Sequence, residues 1–167
     1  MGVKPKQLAG GPASELYANS VEVSTTSTSE TDLKSFSIPA NTLAIDGERL
    51  VVELFGRFVP NASDTTDGRI RLRFGGTLFC DDNLDNASGN GRRYHARATI
   101  WRRGSSSQIA VCVPTENGSS TLNADITTMA IDLTAAVIVK VTGEIVGGGS
   151  GGEIFVDAMS VTKVAAP

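Results

Sequence analysis

The sequence predicts an all-β fold, an antiparallel sandwich or barrel of about eight to nine strands. Apolar and polar residues alternate with a period of two in several runs, which is typical of strands with one buried face. Clusters of Gly, Asn, Asp and Ser separate these runs, and no long segment keeps a helical period. The chain has 167 residues, of which 18 are glycine, so it is long enough to bury a core within one domain.

The runs follow one another at fairly even spacing along the chain. Three central runs alternate most clearly, and each has an apolar face: Leu50, Val52, Leu54 and Phe58; Ile70, Leu72 and Phe74; Tyr94, Ala96, Ala98 and Ile100. Later runs are centred on Ile109, Val111 and Val113, on residues 126–133, on Val137, Val139 and Val141, and on residues 154–164. Polar, glycine-rich segments between them predict turns, because such residues tolerate positive φ or bond their own backbone.

The stretch SFSIPANTL at residues 35–43 breaks this pattern. Pro39 cannot donate to a strand ladder, so a strand ends there or lies at an edge. Asn41 and Thr42 can hydrogen-bond the backbone locally, and we expect Leu43 and Ile45 to return to the core. No nucleophile with a base lies in the stretch, which indicates a corner of the sheet rather than a catalytic turn.

The first residues differ from the rest of the chain. Residues 1–17 contain two prolines, a Gly pair and little periodicity, which predicts an extended N-terminal arm before a domain of residues 18–167. The segment lacks the apolar stretch of a signal peptide, and no later segment is long enough to span a bilayer. We therefore expect synthesis and folding in a cytoplasm, with no membrane partner.

Charge and residue types argue against several function classes. The net charge is −3, which does not favour a nucleic-acid partner. Cys80 and Cys112 each lie in a run with apolar neighbours, so we expect two buried thiols that act as small hydrophobic residues, although a bond between them stays possible. His95 has no orienting carboxylate or nucleophile marked beside it. We expect no enzyme activity, no catalytic residues and no cofactor.

Several motifs, in their order and spacing, resemble tailed-bacteriophage virion proteins. They are IPANTL at 38–43, RLRFGGTLF at 71–79 and RATIWRRGSSSQIAV at 97–111. The resemblance covers roughly residues 18–164. It implies a jelly-roll β-sandwich, found in trimeric capsid decoration (cement) proteins and in tail-fibre modules.

Two functions follow from that resemblance as expectations. The first is a homotrimeric decoration protein that binds the major capsid protein on the outer surface of a virion and stabilises the shell. Only residues 1–17 precede the domain, which is too few for a fibre shaft and favours this function. The alternative is a tail-fibre or receptor-binding module that attaches to host surface carbohydrate. The resemblance brings no catalytic residue, cofactor or nucleic-acid partner.

Two sets of residues are candidates for contacts. Arg69, Arg71 and Arg73 would share one strand face and could pair with carboxylates of a neighbouring subunit. Such a face could instead be solvated, with ion pairs to Glu53 and to Asp-rich loops, or bind a polyanion. The outward aromatic residues Phe55 and Trp101 also favour a subunit interface.

The arm and one acidic loop complete the candidates. We expect the arm to order on the capsid through Lys4, Lys6, Leu8 and Tyr17. Residues 81–86, DDNLDN, supply oxygen ligands of the kind that calcium binds, but the EF-hand pattern fails. We therefore interpret them as a self-capping turn and expect no metal site.

Overall fold

The computed structural model of the chain describes residues 12–60, 66–84, 92–116, 125–147 and 151–167. These residues form eleven β-strands and no helix, so none of their segments is a membrane-spanning helix. The strands are β1 (Ala13–Asn19), β2 (Val23–Thr25), β3 (Thr31–Ile38), β4 (Arg49–Pro60), β5 (Asp67–Phe74), β6 (Thr77–Leu84), β7 (Arg92–Gly104), β8 (Ser107–Glu116), β9 (Asp125–Met129), β10 (Val137–Val146) and β11 (Gly152–Val164).

The strands form two antiparallel sheets that pack as a β-sandwich. One sheet has seven strands, in the order β1-β11-β4-β7-β8-β9. Strand β2 pairs with the same edge of β11 as β1 does, farther along that strand. The other has the order β3-β10-β5-β6. The four strands β2-β11-β4-β7 of the first sheet and the four strands of the second together have the strand order of a jelly roll, a double Greek key. The expected fold class is confirmed, with a hairpin, β8–β9, added beside β7.

The core lies between the inner faces of the two sheets. The alternating apolar residues of β4, β5, β7 and β10 all point inward, as the sequence predicts. Strand β8 has the opposite phase, because Ala110 and Cys112 are buried whereas Ile109, Val111 and Val113 are only half-buried. Both faces of β8 are apolar, so alternation alone does not decide which face is inside.

The break at residues 39–43 is a corner, as expected. Asn41 has a φ of 59°, and its N–H donates to Leu133 O at 2.9 Å. The hydroxyl and N–H of Thr42 both bond Pro39 O, at 2.7 and 3.2 Å. Leu43 is buried, but Ile45 is exposed, so that part of the prediction was wrong. The carboxylate of Glu48 accepts the N–H of Ile45 at 3.0 Å and fixes this outward turn.

A disulfide bond joins Cys80 of β6 to Cys112 of β8. The expectation of two free thiols was therefore wrong. The two residues lie in different sheets and are 32 positions apart, with Cα atoms separated by 5.7 Å. Both are buried, so the bond links the sheets through the core.

Candidate functional site

The five residues expected at a subunit interface lie on opposite sides of the molecule. Arg69, Arg71 and Arg73 project from the outer face of the four-stranded sheet. Phe55 and Trp101 project from the outer face of the seven-stranded sheet. A single continuous patch cannot contain both sets, so each outer face must be considered separately.

The arginines of β5 are neutralised within the chain. Arg69 binds Asp81 through two hydrogen bonds of 2.7 and 2.6 Å, and these bonds raise the pKa of the Arg69 guanidinium. Arg71 donates to Glu144 at 2.6 Å. Both acids belong to the strands that flank β5. This arrangement matches the alternative of a sheet face with ion pairs inside one chain. Glu53 is not one of the partners, because it lies on the other sheet.

Glu30, just before β3, completes this network. It accepts two hydrogen bonds from Arg73, at 2.8 and 2.9 Å, and one from the hydroxyl of Thr142 at 2.6 Å. The bonds from Arg73 and Thr142, together with the positive charge of Arg73 and Arg71, lower the pKa of Glu30 to about 2 even though burial opposes ionisation. The charged side chains of this face therefore already form ion pairs within one chain.

The outer face of the seven-stranded sheet has a different character. Here β4, β7, β8 and β9 place apolar or β-branched side chains side by side in matching register. We call this surface the β8 face; it consists of Val51, Thr99, Trp101, Ile109, Val111, Val113 and Ile126. Ile126 is 68% exposed. The other six side chains are half-buried.

Phe55 and His95 lie beside the β8 face and stack on each other. Their ring centroids are 4.4 Å apart with an interplanar angle of 9°. His95 points outward from β7, and its Nε2 has no hydrogen-bond partner among the described residues. The ring of Phe55, 47% exposed, also borders a small pocket of about 170 Å³ over Ala158 and Ser160.

Part of the predicted arm lies in a strand of the sandwich. Lys4, Lys6 and Leu8 lie outside the described residues. Residues 13–17 belong to β1, which pairs with β11. The ring of Tyr17 stacks on Phe36 at 4.8 Å, so this candidate arm residue packs on the sandwich.

A buried lysine, which the sequence did not single out, holds β1 and β2 against the other sheet. Lys34 points inward from β3 and is buried. Its Nζ donates to Asn19 Oδ1 at 3.1 Å, and also to the backbone oxygens of Asn19 and Val21. Burial lowers the pKa of this ammonium group. The link between β1 and β2 is thereby fixed to β3.

An open pocket of about 630 Å³ lies on the side of the four-stranded sheet. Three segments form it: β3, the turn at Gly75 and Gly76, and the connection into β10. Asp32 and Lys140 form an ion pair of 2.7 Å at its wall, and Ile138 supplies an apolar surface that is 52% exposed. Sequence inspection missed this pocket because its residues come together only when the sheets form.

Polar groups of this pocket can bind hydroxyl groups. Asp132 accepts two bonds from Thr134, at 2.9 and 2.6 Å, which lower the pKa of the Asp132 carboxyl. Asp32, Asp132, Ser35 and Lys140 therefore offer both acceptors and donors around one opening. The described residues that line it include no aromatic ring.

The acidic segment at residues 81–86 is only partly described. Asp81 binds Arg69 and Arg71, while Asp85 and Asn86 lie outside the described residues. In the part of the chain that the structure describes, no group of three or more metal-binding side chains occurs.

Comparisons with known proteins give fold likeness only. No family model and no curated protein matches the chain. Lectin UEA-II complexed with galactose is similar at a TM-score of 0.46 and 13% identity, covering 85% of this chain and 86% of the lectin. The CBM2 module of Lactobacillus casei BL23 phage J-1 evolved Dit is similar at 0.37 and 14%, covering 80% and 69%. A Lotus tetragonolobus seed lectin reaches 0.39 and 10%, covering 97% and 96%. At these scores the likenesses support no argument about function.

Proposed function

We propose that this protein is a structural component of a tailed-phage virion, a homotrimeric decoration protein that binds the outer capsid surface. The observation that carries this proposal is the β8 face, where apolar side chains lie on the outside of the sandwich. The outer face of the other sheet is charged, and its charged side chains pair with one another within the chain. Apolar side chains on the outside of a sheet, here half-buried except for the exposed Ile126, favour assembly with another surface. The motifs that resemble virion proteins support the same class.

In this proposal the major capsid protein is the binding partner. Three copies held in one trimer multiply a weak contact into strong attachment, because the second and third contacts form at high effective concentration. Lys4, Lys6 and Leu8 supply the contact from each copy. The protein is made in the host cytoplasm, acts without catalysis, and stabilises the shell by bridging neighbouring capsomers.

Copy number in purified virions tests the proposal most directly. Quantitative mass spectrometry would compare this chain with the major capsid protein. A ratio near one supports decoration. A ratio lower by one or two orders of magnitude contradicts it and indicates a tail component.

A truncated chain tests the attachment segment. A chain that begins at Pro12 keeps β1 and its pairing with β11, so we expect it to fold with the same oligomeric mass. It should fail to bind capsids stripped of the protein. Binding equal to that of the full chain would show that residues 1–11 are not the attachment segment.

A second candidate function is a tail-fibre or receptor-binding module for host surface carbohydrate. The open pocket favours it, because Asp32, Asp132 and Lys140 converge around an apolar surface on Ile138, a combination that can hold sugar hydroxyls. Titration of polysaccharide from the host surface, followed by NMR, would test it. Shifts confined to the pocket that disappear in Asp132→Asn would support this function, and no shifts would exclude it.

A further inference from the structure

We infer that the β8 face is the surface through which one copy of this chain packs on another copy. The inference rests on the assembly role proposed above and names the surface that performs it. It replaces Arg69, Arg71 and Arg73 as interface residues, because carboxylates of the same chain hold those side chains in close ion pairs of 2.6 to 2.8 Å.

The side-chain pattern of β8 indicates that both of its faces are buried in the working molecule. A strand of an antiparallel sheet with one solvated face normally alternates apolar and polar residues. In β8, however, Ile109, Val111 and Val113 project outward, while the smaller Ala110 and Cys112 project inward. The larger apolar side chains thus lie on the outside, and covering them with another surface would be favourable.

Neighbouring strands extend this apolar surface around Val111 and Ile109, whereas Arg97 of β7 lies opposite Val113. Val111 lies opposite Thr99 of β7 and Ile126 of β9, and Ile109 lies opposite Trp101. Seven residues, each covering about 4.8 Å across the strands and about 7 Å along them, give a patch of roughly 240 Å². An interface of standard size buries about 800 Å² per partner, so the β8 face fits the apolar centre of such an interface.

The charges beside the patch fit an identical partner. Arg97 and Glu53 lie opposite each other on β7 and β4, and their nearest atoms are 3.7 Å apart. The Arg97 side chain is 62% exposed. Because this surface carries both signs side by side, Arg97 of one copy can lie beside Glu53 of the next around the threefold axis of a trimer. A strongly acidic or basic partner would require one dominant sign.

The mass of the protein in solution tests this inference. Val111→Glu places a charge at the centre of the β8 face, and burying an unpaired charge there is unfavourable. We expect at least about a hundredfold weaker association, so that light scattering gives the 17.4 kDa mass of one chain. The matched control is Ile138→Glu, which places the same charge on an exposed isoleucine of the opposite sheet and should keep the oligomeric mass.

Other outcomes would overturn the inference. A wild-type chain that stays monomeric up to millimolar concentration would do so, and so would an oligomer that survives Val111→Glu. If Val111→Glu does not fold, the same mass measurement on Ile126→Glu tests the inference. Ile126 is the most exposed member of the face, so its replacement should leave the fold intact. An oligomer that dissociates as expected but is absent from virions would uphold the β8 face and refute only the proposed function.

Discussion

Cys80 at the edge of the four-stranded sheet is bonded to Cys112 in the seven-stranded sheet. The bond closes a loop between two strands that share no hydrogen bonds, and it crosses the core that both sheets enclose. It therefore restricts the unfolded chain and holds the two layers together at the side of β6 and β8.

Loss of this disulfide should lower the stability of the fold. For cysteines 32 positions apart, the restriction of the unfolded chain contributes about 3–4 kcal/mol to the free energy of unfolding. Chemical denaturation of wild type with and without a thiol reductant measures this loss. The double variant Cys80→Ala, Cys112→Ala is the control, since its midpoint should not respond to reductant. An unchanged wild-type midpoint would contradict the prediction.

Gly56 of β4 should not tolerate a side chain. The hydroxyl of Tyr94 crosses over Gly56 and donates to Phe155 O at 2.7 Å. A Cβ at position 56 would lie 2.2 Å from Phe155 O and 2.3 Å from the Tyr94 hydroxyl. We expect Gly56→Ala to cost about 3 kcal/mol or more in thermal or chemical denaturation.

A second glycine provides the control for that experiment. A Cβ at Gly104 would meet only Ser107 Cβ, at an ordinary 3.6 Å. Gly104→Ala should therefore change the free energy of unfolding by less than about 1 kcal/mol. Equal losses at the two positions would refute the role of the Tyr94 contact.

The stability of the fold should fall in acid because of Glu30. Its folded-state pKa of about 2 lies below the ordinary value of 4.5. The stabilisation is complete above about pH 4.5 and is lost as the pH falls toward 2, because the unfolded chain takes up the proton first. The carboxylate is partly exposed, so we expect a loss of about 1–2 kcal/mol after solvent screening.

Urea unfolding across this pH range measures the effect. Glu30→Gln should be less stable than wild type at neutral pH and should lose less on acidification. Glu15→Gln, at an exposed position of β1, is the control and should follow the wild-type curve. If Glu30→Gln also follows that curve, the network around Arg73 does not stabilise the fold as proposed.

Lys34 should control the order of the β1–β2 edge. Lys34→Met removes the donor that Asn19 and Val21 share, leaving their backbone oxygens without this partner. We expect amide hydrogen exchange in residues 13–25 to accelerate at least about tenfold. Lys140→Met, at an exposed ion pair with Asp32, should leave exchange there unchanged. The prediction fails if both variants behave alike.

Several elements were predictable because their cause is local. The period-two patterns of β4, β5, β7 and β10 predicted the correct inner faces, since one side of each strand is apolar while the other side includes charged residues. The corner at Pro39 was also predictable, because a missing N–H ends a ladder in any context. Residues 13–17 were expected in the arm because β1 is a mostly exposed edge strand with weak alternation.

The sequence by itself determined an antiparallel β-sandwich, most of its strands and the inner faces of the central ones. Tertiary structure alone decided which distant residues meet: Cys80 with Cys112, Arg73 with Glu30, and β4 with β7 beneath the β8 face. The physical reason is that alternation and turn chemistry act within a few residues. Pairing between strands far apart in sequence depends instead on the free energy of the whole sandwich.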